Sequence, residues 1–377
     1  MTIKSVSEIN EYVRTSVNPL ATPDQLFELY SVPSFDSDYP EIVSGAEIGS
    51  AKVTVEEGDV LICKINPRIN RVWVVRHNTD YPLLASSEWI VVRSKNMNPH
   101  YLKWYFSSSS FRTLLTSQVT GIGGSLTRAQ PKQVAKYPVP VPSRAEQDYI
   151  AGVLERIDEL LLKQHQQTEK LDELVKSRFI ELFGAITETV PLSYYIEALN
   201  AGKSLAGEEE CPNKVLKTGA TTYDYFDATQ VKNLPDDYEP LEDHRIKTGD
   251  VIISRMNTAE LVGAAAYVWE APERTYLPDR LWKAEIKETA YPIFIWQVLI
   301  QSSTKERIRQ IASGTSGSMK NISKPGLLGI RVKKVDLAAQ EQFAAFVVQT
   351  DKSKLAVQQG LKELEILKKS LMQQYFG

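Results

Sequence analysis

The sequence predicts a mixed α+β protein of two tandem, similar globular domains, each followed by a long helix, with the two helices pairing as an antiparallel coiled coil of pseudo-two-fold symmetry. Three observations predict it: a duplicated set of markers, β-rich runs mixed with helical segments in each half, and two long stretches of three-four apolar spacing. Leu171, Leu174, Ser177, Phe183 and Gly184 return as Leu364, Leu367, Ser370, Phe376 and Gly377, an offset of 193 residues. Gly58-Asp59-Val60-Leu61-Ile62 recurs as Gly249-Asp250-Val251-Ile252-Ile253, Gly124-Ser125-Leu126 as Gly317-Ser318-Met319, and Ala145-Glu146-Gln147 as Gln340-Glu341-Gln342. The order is kept, and the offset far exceeds a solenoid period, so the unit is a globular region plus a helix, twice. The expected divisions are 1–143, 144–184, 185–336 and 337–377.

In the first half, Val60 to Ile62, Val72 to Val75 and Trp89 to Val92 are β-rich runs, the first two separated by a polar turn with Asn66-Pro67. His100 to Leu115 carries Tyr101, Trp104, Tyr105 and Phe111 at a spacing that suits one buried helix face. Gly121 to Ser125 follows as a loop. Tyr137 to Pro142 alternates too much proline for a central strand and is expected as an edge strand or an extended linker.

From about Arg144 the character changes. Ile150, Leu154, Ile157, Leu161, Thr168, Leu171, Val175 and Leu182 make the narrow seam of a helix that packs on another helix, ~50–55 Å long at about 1.5 Å per residue. Phe343, Val347, Val357, Leu361, Leu364, Leu371 and Tyr375 make the corresponding seam near the second copy's end. Neither stripe forms a core alone, so the helices are expected to pair, with His165 as a polar register element in the seam. The second half repeats the first in outline: strands at Gly249–Ser254, Ala264–Trp269 and Leu281–Ile286, a helix from Pro292 to Arg309, and a loop at Ser313–Ser318.

Composition excludes several classes. The chain is 42% apolar and 24% charged, which is ordinary for a folded protein. Its first residues carry no leader pattern, and its most apolar run, Tyr291 to Ile300, is about half a membrane span, so a cytoplasmic protein without membrane contact is expected. Two cysteines and four scattered histidines make no disulfide framework and no metal-ligand spacing. The net charge of −3 conceals an uneven distribution. Residues 1–60 hold 3 Lys/Arg against 11 Asp/Glu, and residues 61–143 hold 11 against 2. The second half repeats the trend more weakly, with 6 against 12 over 185–248 and 13 against 9 over 249–336. A local basic face can neutralise phosphates whatever the total charge. The competing reading is that these are solvated faces that offset one another in the fold.

The doubled Gly-Asp-Val-(Leu/Ile)-Ile strand, the Gly-Ser-(Leu/Met) loop, the Glu-Gln helix start and the Leu-x-x-Leu-x-x-Ser…Phe-Gly helix end together resemble the specificity subunits of type I restriction–modification systems. The resemblance covers essentially the whole chain. It implies a subunit without catalytic residues, metal or cofactor, whose globular halves are target-recognition domains for the two parts of a gapped double-stranded DNA site. It further implies paired spacer helices that dock two modification subunits, with separate restriction subunits completing the complex. S-adenosylmethionine, Mg and ATP are expected on those partners.

The candidate DNA contacts lie where basic excess, loops and shared markers coincide. In the first half they are Lys64, Asn66, Arg68, Asn70 and Arg71 after the Gly-Asp strand, with Ser125, Thr127, Arg128, Gln130 and Lys132 around the glycine loop. In the second half they are Arg255, Asn257, Arg280, Lys283, Ser318, Lys320, Asn321 and Lys324. Arg and Lys bond guanine edges or phosphates, and Asn and Gln bond adenine. For any single member the alternative is a solvated charge or a turn residue. Gly58-Asp59 and Gly249-Asp250 read as turn punctuation, and Trp104 and Trp296 as core rather than base-stacking residues. Asp279 and Glu285 imitate a nuclease metal pair, but six residues along one strand separate them by ~20 Å. No Asn/Asp-Pro-Pro-aromatic methyltransferase motif is present. The rival readings are a coiled-coil interaction scaffold that does not read DNA, and the specificity subunit of a related system with a fused nuclease–methyltransferase partner.

Overall fold

The computed structural model describes residues 2–117, 119–120, 127–314 and 319–377. The chain divides into two compact units, Met1–Gln166 with Gln358–Gly377, and Gln167–Val357. Helix and strand are mixed in both, as the α+β reading expects.

In the first unit a five-stranded sheet runs Ser16–Val17, Lys52–Thr54, Leu83–Ala85, Leu26–Tyr30, Glu41–Ser44. Leu26–Tyr30 pairs antiparallel with Glu41–Ser44 and parallel with Leu83–Ala85. A three-stranded antiparallel sheet has Val60–Cys63 between Val72–Val74 and Trp89–Val92. Its central strand is buried at every position, which accounts for the unbroken apolar run. Pro138–Val141 is an edge strand paired with Thr2–Ser5, where prolines cost no ladder bond on the open side.

The second unit repeats the central pairings in sheets of different extent, three strands where the first unit has five, and four where it has three because Ile196–Asn200 adds an edge beside Leu281–Ile286. Lys214–Leu216 pairs antiparallel with Val231–Asn233 and parallel with Thr275–Tyr276. Val251–Ser254 lies between Ala265–Tyr267 and Leu281–Ile286, and Thr189–Pro191 pairs with Arg331–Lys333. The duplication therefore extends into strands whose sequences no longer match.

The helices between these sheets and the glycine loops differ from expectation. The predicted helix over His100–Leu115 is two helices, Pro99–Ser107 and Ser109–Ser117, because buried Ser108 is extended and its hydroxyl accepts the Phe111 N–H. The predicted helix from Pro292 to Arg309 likewise breaks at extended Gln301, into Pro292–Ile300 and Ser302–Ile311.

Two 40-residue helices, Arg144–Phe183 and Leu337–Phe376, complete the elements. In the first unit Ile150 and Leu154 join a core with Tyr101, Tyr105, Phe106, Phe111 and Phe376. In the second, Phe179 and Phe183 pack edge-on against Phe343 at 5.5 and 5.4 Å, beside Phe294. Asp158–Lys368 is an ion pair of the first unit, and Asp172–Lys354, at 2.7 Å, one of the second. His165 is exposed, not in the seam; its neighbour Gln164 is the inward residue, against Gly360. Among the described residues no helix is long and apolar enough to cross a membrane.

Candidate nucleic-acid interface

The residues after the Gly-Asp strand and those after the glycine loop, some sixty positions apart, meet in space. In the first unit Gly58, at φ +86°, turns the chain into the strand, which ends at Cys63. Lys64 donates its N–H to the Glu88 carbonyl and accepts at its own carbonyl from Ala129, both at 2.9 Å. Asn66 N–H donates to the Thr127 carbonyl at 2.9 Å, and Ile65 and Arg128 form an antiparallel bridge between the two segments. Asn66 and Asn70 both take left-handed backbone (φ +47° and +49°), a conformation asparagine tolerates better than most residues. They flank a short 3-10 turn, Pro67–Ile69, and Asn70 Nδ2 donates to the Phe106 carbonyl at 3.1 Å. The turn is thus pinned at both ends with Arg68 and Ile69 exposed between them.

The electrostatics are cationic. Arg128, half exposed, makes an ion pair with Glu88 at 3.3 Å. Burial pushes the Lys64 ammonium pKa down; Glu88 opposes this, while Arg14 and Arg128 act in the same direction as burial. Arg14 therefore belongs to the cluster. Sequence reasoning missed it because it lies in the acidic first sixty residues, and only the fold brings it near. Gln130 caps the Pro131–Val134 helix through its carbonyl, and Lys132 on that helix is exposed. The Arg71 carbonyl accepts from Cys63 N–H at 3.0 Å, which places Arg71 opposite the strand end.

The second unit builds the same frame. Arg255, after Val251–Ser254, donates its N–H to the Arg280 carbonyl at 3.1 Å and accepts from Ile322 at 3.0 Å. Met256 pairs with Asn321 and Asn257 with Lys320. The Arg255 guanidinium lies 5.8 Å from the Trp282 ring centroid, a cation–π contact. Arg280 and Lys324 are exposed. Lys320 Nζ donates to the Gly314 carbonyl at 2.8 Å. Lys283 does not join the group: its ammonium is mostly buried, bonded to the Asp243 and Arg245 carbonyls at 3.1 Å and 3.8 Å from Asp250. Ser125 and Ser318 lie outside the described residues.

Trp104 is buried, with Lys103 and Lys368 over its ring at 5.1 and 5.0 Å. Trp296 donates from its indole to the Asp224 and Ala265 carbonyls at 3.0 and 3.1 Å. Both serve the cores. Asp279 bonds to Ser204, and Glu285 accepts from Asn200 at 3.4 Å. Among the described residues no three His, Cys, Asp or Glu side chains gather as a metal site.

Two α+β units with corresponding strand pairings, each with a cationic residue at the end of its Gly-Asp strand clamped to a second loop and each holding part of both long helices, make a duplicated scaffold. No family model matches the chain. The type I restriction enzyme MjaVIII specificity subunit of Methanocaldococcus jannaschii is 22% identical over 350 residues, covering 86% of this chain and 80% of that protein. A chain from a structure concerned with complex assembly and conformational transition of the type I R-M system aligns at a TM-score of 0.60 and 16% identity, covering 100% of this chain and 97% of its own. The type I restriction–modification S subunit from M. genitalium aligns at 0.59 and 14%, covering 98% and 94%. The resemblance carried by the doubled markers is borne out: the chain is a relative of type I restriction specificity subunits and shares the S-subunit fold.

Proposed function

We propose that the chain is the non-catalytic specificity subunit of a type I restriction–modification complex, each globular domain reading one half of a gapped, bipartite DNA site. The single observation that supports this is the repeated clamp, which holds a cationic residue, Lys64 or Arg255, in the same topological position in both units. Double-stranded DNA is the polyanion such turns fit, because Arg, Lys and Asn side chains combine phosphate and base-edge contacts. The domains are residues 1–143 and 185–336, and the spacers 144–184 and 337–377. The spacers pair as an antiparallel coiled coil with pseudo-two-fold symmetry. Supporting this, fourteen residues separate both Asp158 from Asp172 and Lys354 from Lys368, two heptads on each helix. The pair sets the distance between readers and docks two modification subunits, with restriction subunits joining them. S-adenosylmethionine, Mg and ATP belong to those partners, and the complex works in the cytoplasm.

Long-read mapping of methylated adenines in host DNA, with the gene intact and deleted, tests the reading. Loss of one gapped two-part motif on deletion is the expected result. An unchanged map in a strain that expresses the modification subunits would overturn it.

A further inference from the structure

What two readers of different sequences share must meet what all duplex DNA shares, and what differs between them is free to read bases. Resting on the DNA-reading proposal, this separates the candidate residues into two kinds. Lys64 and Arg255 each stand six residues after the strand-opening glycine. Each is fixed twice by its backbone, through an N–H to the carbonyl just before the next strand of the sheet and a carbonyl to an N–H just after the glycine loop. The direction in which the side chain leaves the backbone is therefore set by the same frame in both units. Each is a cation, and neither forms an ion pair among the described residues. Lys64 lies among Arg14, Arg128 and Glu88, whereas Arg255 lies beside Trp282 with a long 3.5 Å contact to the Asp279 carbonyl.

Immediately beyond this position the units part company. The first continues into the Asn66–Asn70 turn with left-handed asparagines at both ends; the second continues as a strand, Met256–Asn257, before turning. Their surroundings also differ in sign, with Glu88 in one clamp where Arg280 stands in the other. The cation is held in common, as is an asparagine two residues on, Asn66 and Asn257, before the sequences diverge.

We propose that Lys64 and Arg255 are a matched pair of phosphate contacts, one per half-site, which fix affinity and register without regard to sequence. Arg68, where the second unit has Ala259, carries base readout. A residue that neutralises a phosphate releases a counterion and reduces the salt slope of binding by about one when removed, whereas a base contact acts on discrimination.

The test uses the full chain assembled with its modification subunits. Binding is measured across a sodium chloride series to a duplex bearing the mapped motif and to a scrambled duplex. Lys64→Gln and Arg255→Gln are expected each to lower the slope of log K against log salt by about one, and together by about two, weakening both duplexes by the same factor. Lys64→Arg and Arg255→Lys are expected to keep the wild-type slope; if they do not, the side chains are structural and the proposal falls. Loss confined to the motif duplex at unchanged slope would make the pair base readers and would also overturn it. An assembled wild-type complex that binds neither duplex would defeat the DNA-reading proposal itself, and this assignment with it.

Discussion

Asp59 and Asp250 occupy the same place in the duplicated marker, yet their surroundings make them chemically different. Asp59 is buried and takes both Arg93 Nε and Nη2 at 2.7 Å, with the Glu56 N–H at 2.8 Å. Asp250 has only Lys283 at 3.8 Å and the Lys247 N–H, and burial raises its pKa despite them. Arg93→Met leaves the buried Asp59 charge unpaired and is expected to cost about 3–5 kcal/mol of first-unit stability, read by denaturant unfolding. Asp59→Asn in the same chain should recover much of that loss, and failure to recover would mean that Arg93 acts by packing. For Asp250 the sign follows from its raised folded-state pKa: the folded unit holds the proton more tightly. Its contribution favours folding below the ordinary aspartate value of 3.8 and is lost as pH rises through the raised pKa. Asp250→Asn should remove this part of the pH dependence, so the stability difference between wild type and variant changes across that acid window and is flat above it. The turn role of Gly58-Asp59 was legible, since a glycine at positive φ before a buried strand is a local requirement. The Arg93 partner was not, because it lies 34 residues away, just past the end of the Trp89–Val92 strand.

At the scale of elements, the two long helices were readable because three-four apolar spacing without proline leaves a helix few alternatives. The breaks at Ser108 and Gln301 were hidden inside apolar and aromatic patterns that continue across them. Both fall in serine-containing runs, Ser107–Ser110 and Gln301–Ser303; the Ser108 hydroxyl caps its new helix, whereas Gln301 caps the next one through its backbone carbonyl, which accepts from Thr304 and Lys305. The seam reading misplaced His165 by one position, since the three-four steps from Leu161 to Thr168 pass through Gln164. Glycine supplies a test of how the long helices are held. A Cβ at Gly152 meets nothing within 4 Å, so Gly152→Ala should stabilise the chain by up to about 1 kcal/mol through helix propensity alone. At Gly360 the Cβ would come 3.0 Å from Gln164 Nε2, the tip of a flexible side chain, so Gly360→Ala should gain less. Thermal unfolding of the two variants side by side checks the order; a loss at Gly152 would mean that the first helix is not continuous there.

For the whole molecule, the duplication was visible only in four short markers, while the strand pairings show it running through segments with no residual similarity. Mutual burial keeps a topology while sequence changes, and surface turns have no such constraint, which is why the clamp was found by structure and its individual contacts were not. The helix pair gives the proposed reading its most demanding consequence. If the pair is a rigid spacer, one heptad inserted in each helix between the Asp158–Lys368 and Asp172–Lys354 pairs keeps both pairs in register and lengthens the spacer by roughly 10 Å. That is about three base pairs of rise, or about a third of a duplex turn, so the second reader would meet the wrong side of the DNA. Three heptads add about 32 Å, close to one turn of ~34 Å, and bring it back to the same side. Methylation mapping should therefore show strong impairment with one heptad, and with three heptads modification of the same two half-sites across a gap wider by roughly nine base pairs. Full activity of the one-heptad chain on the original gap would mean that DNA spacing is set elsewhere, and the helices would then be docking elements only.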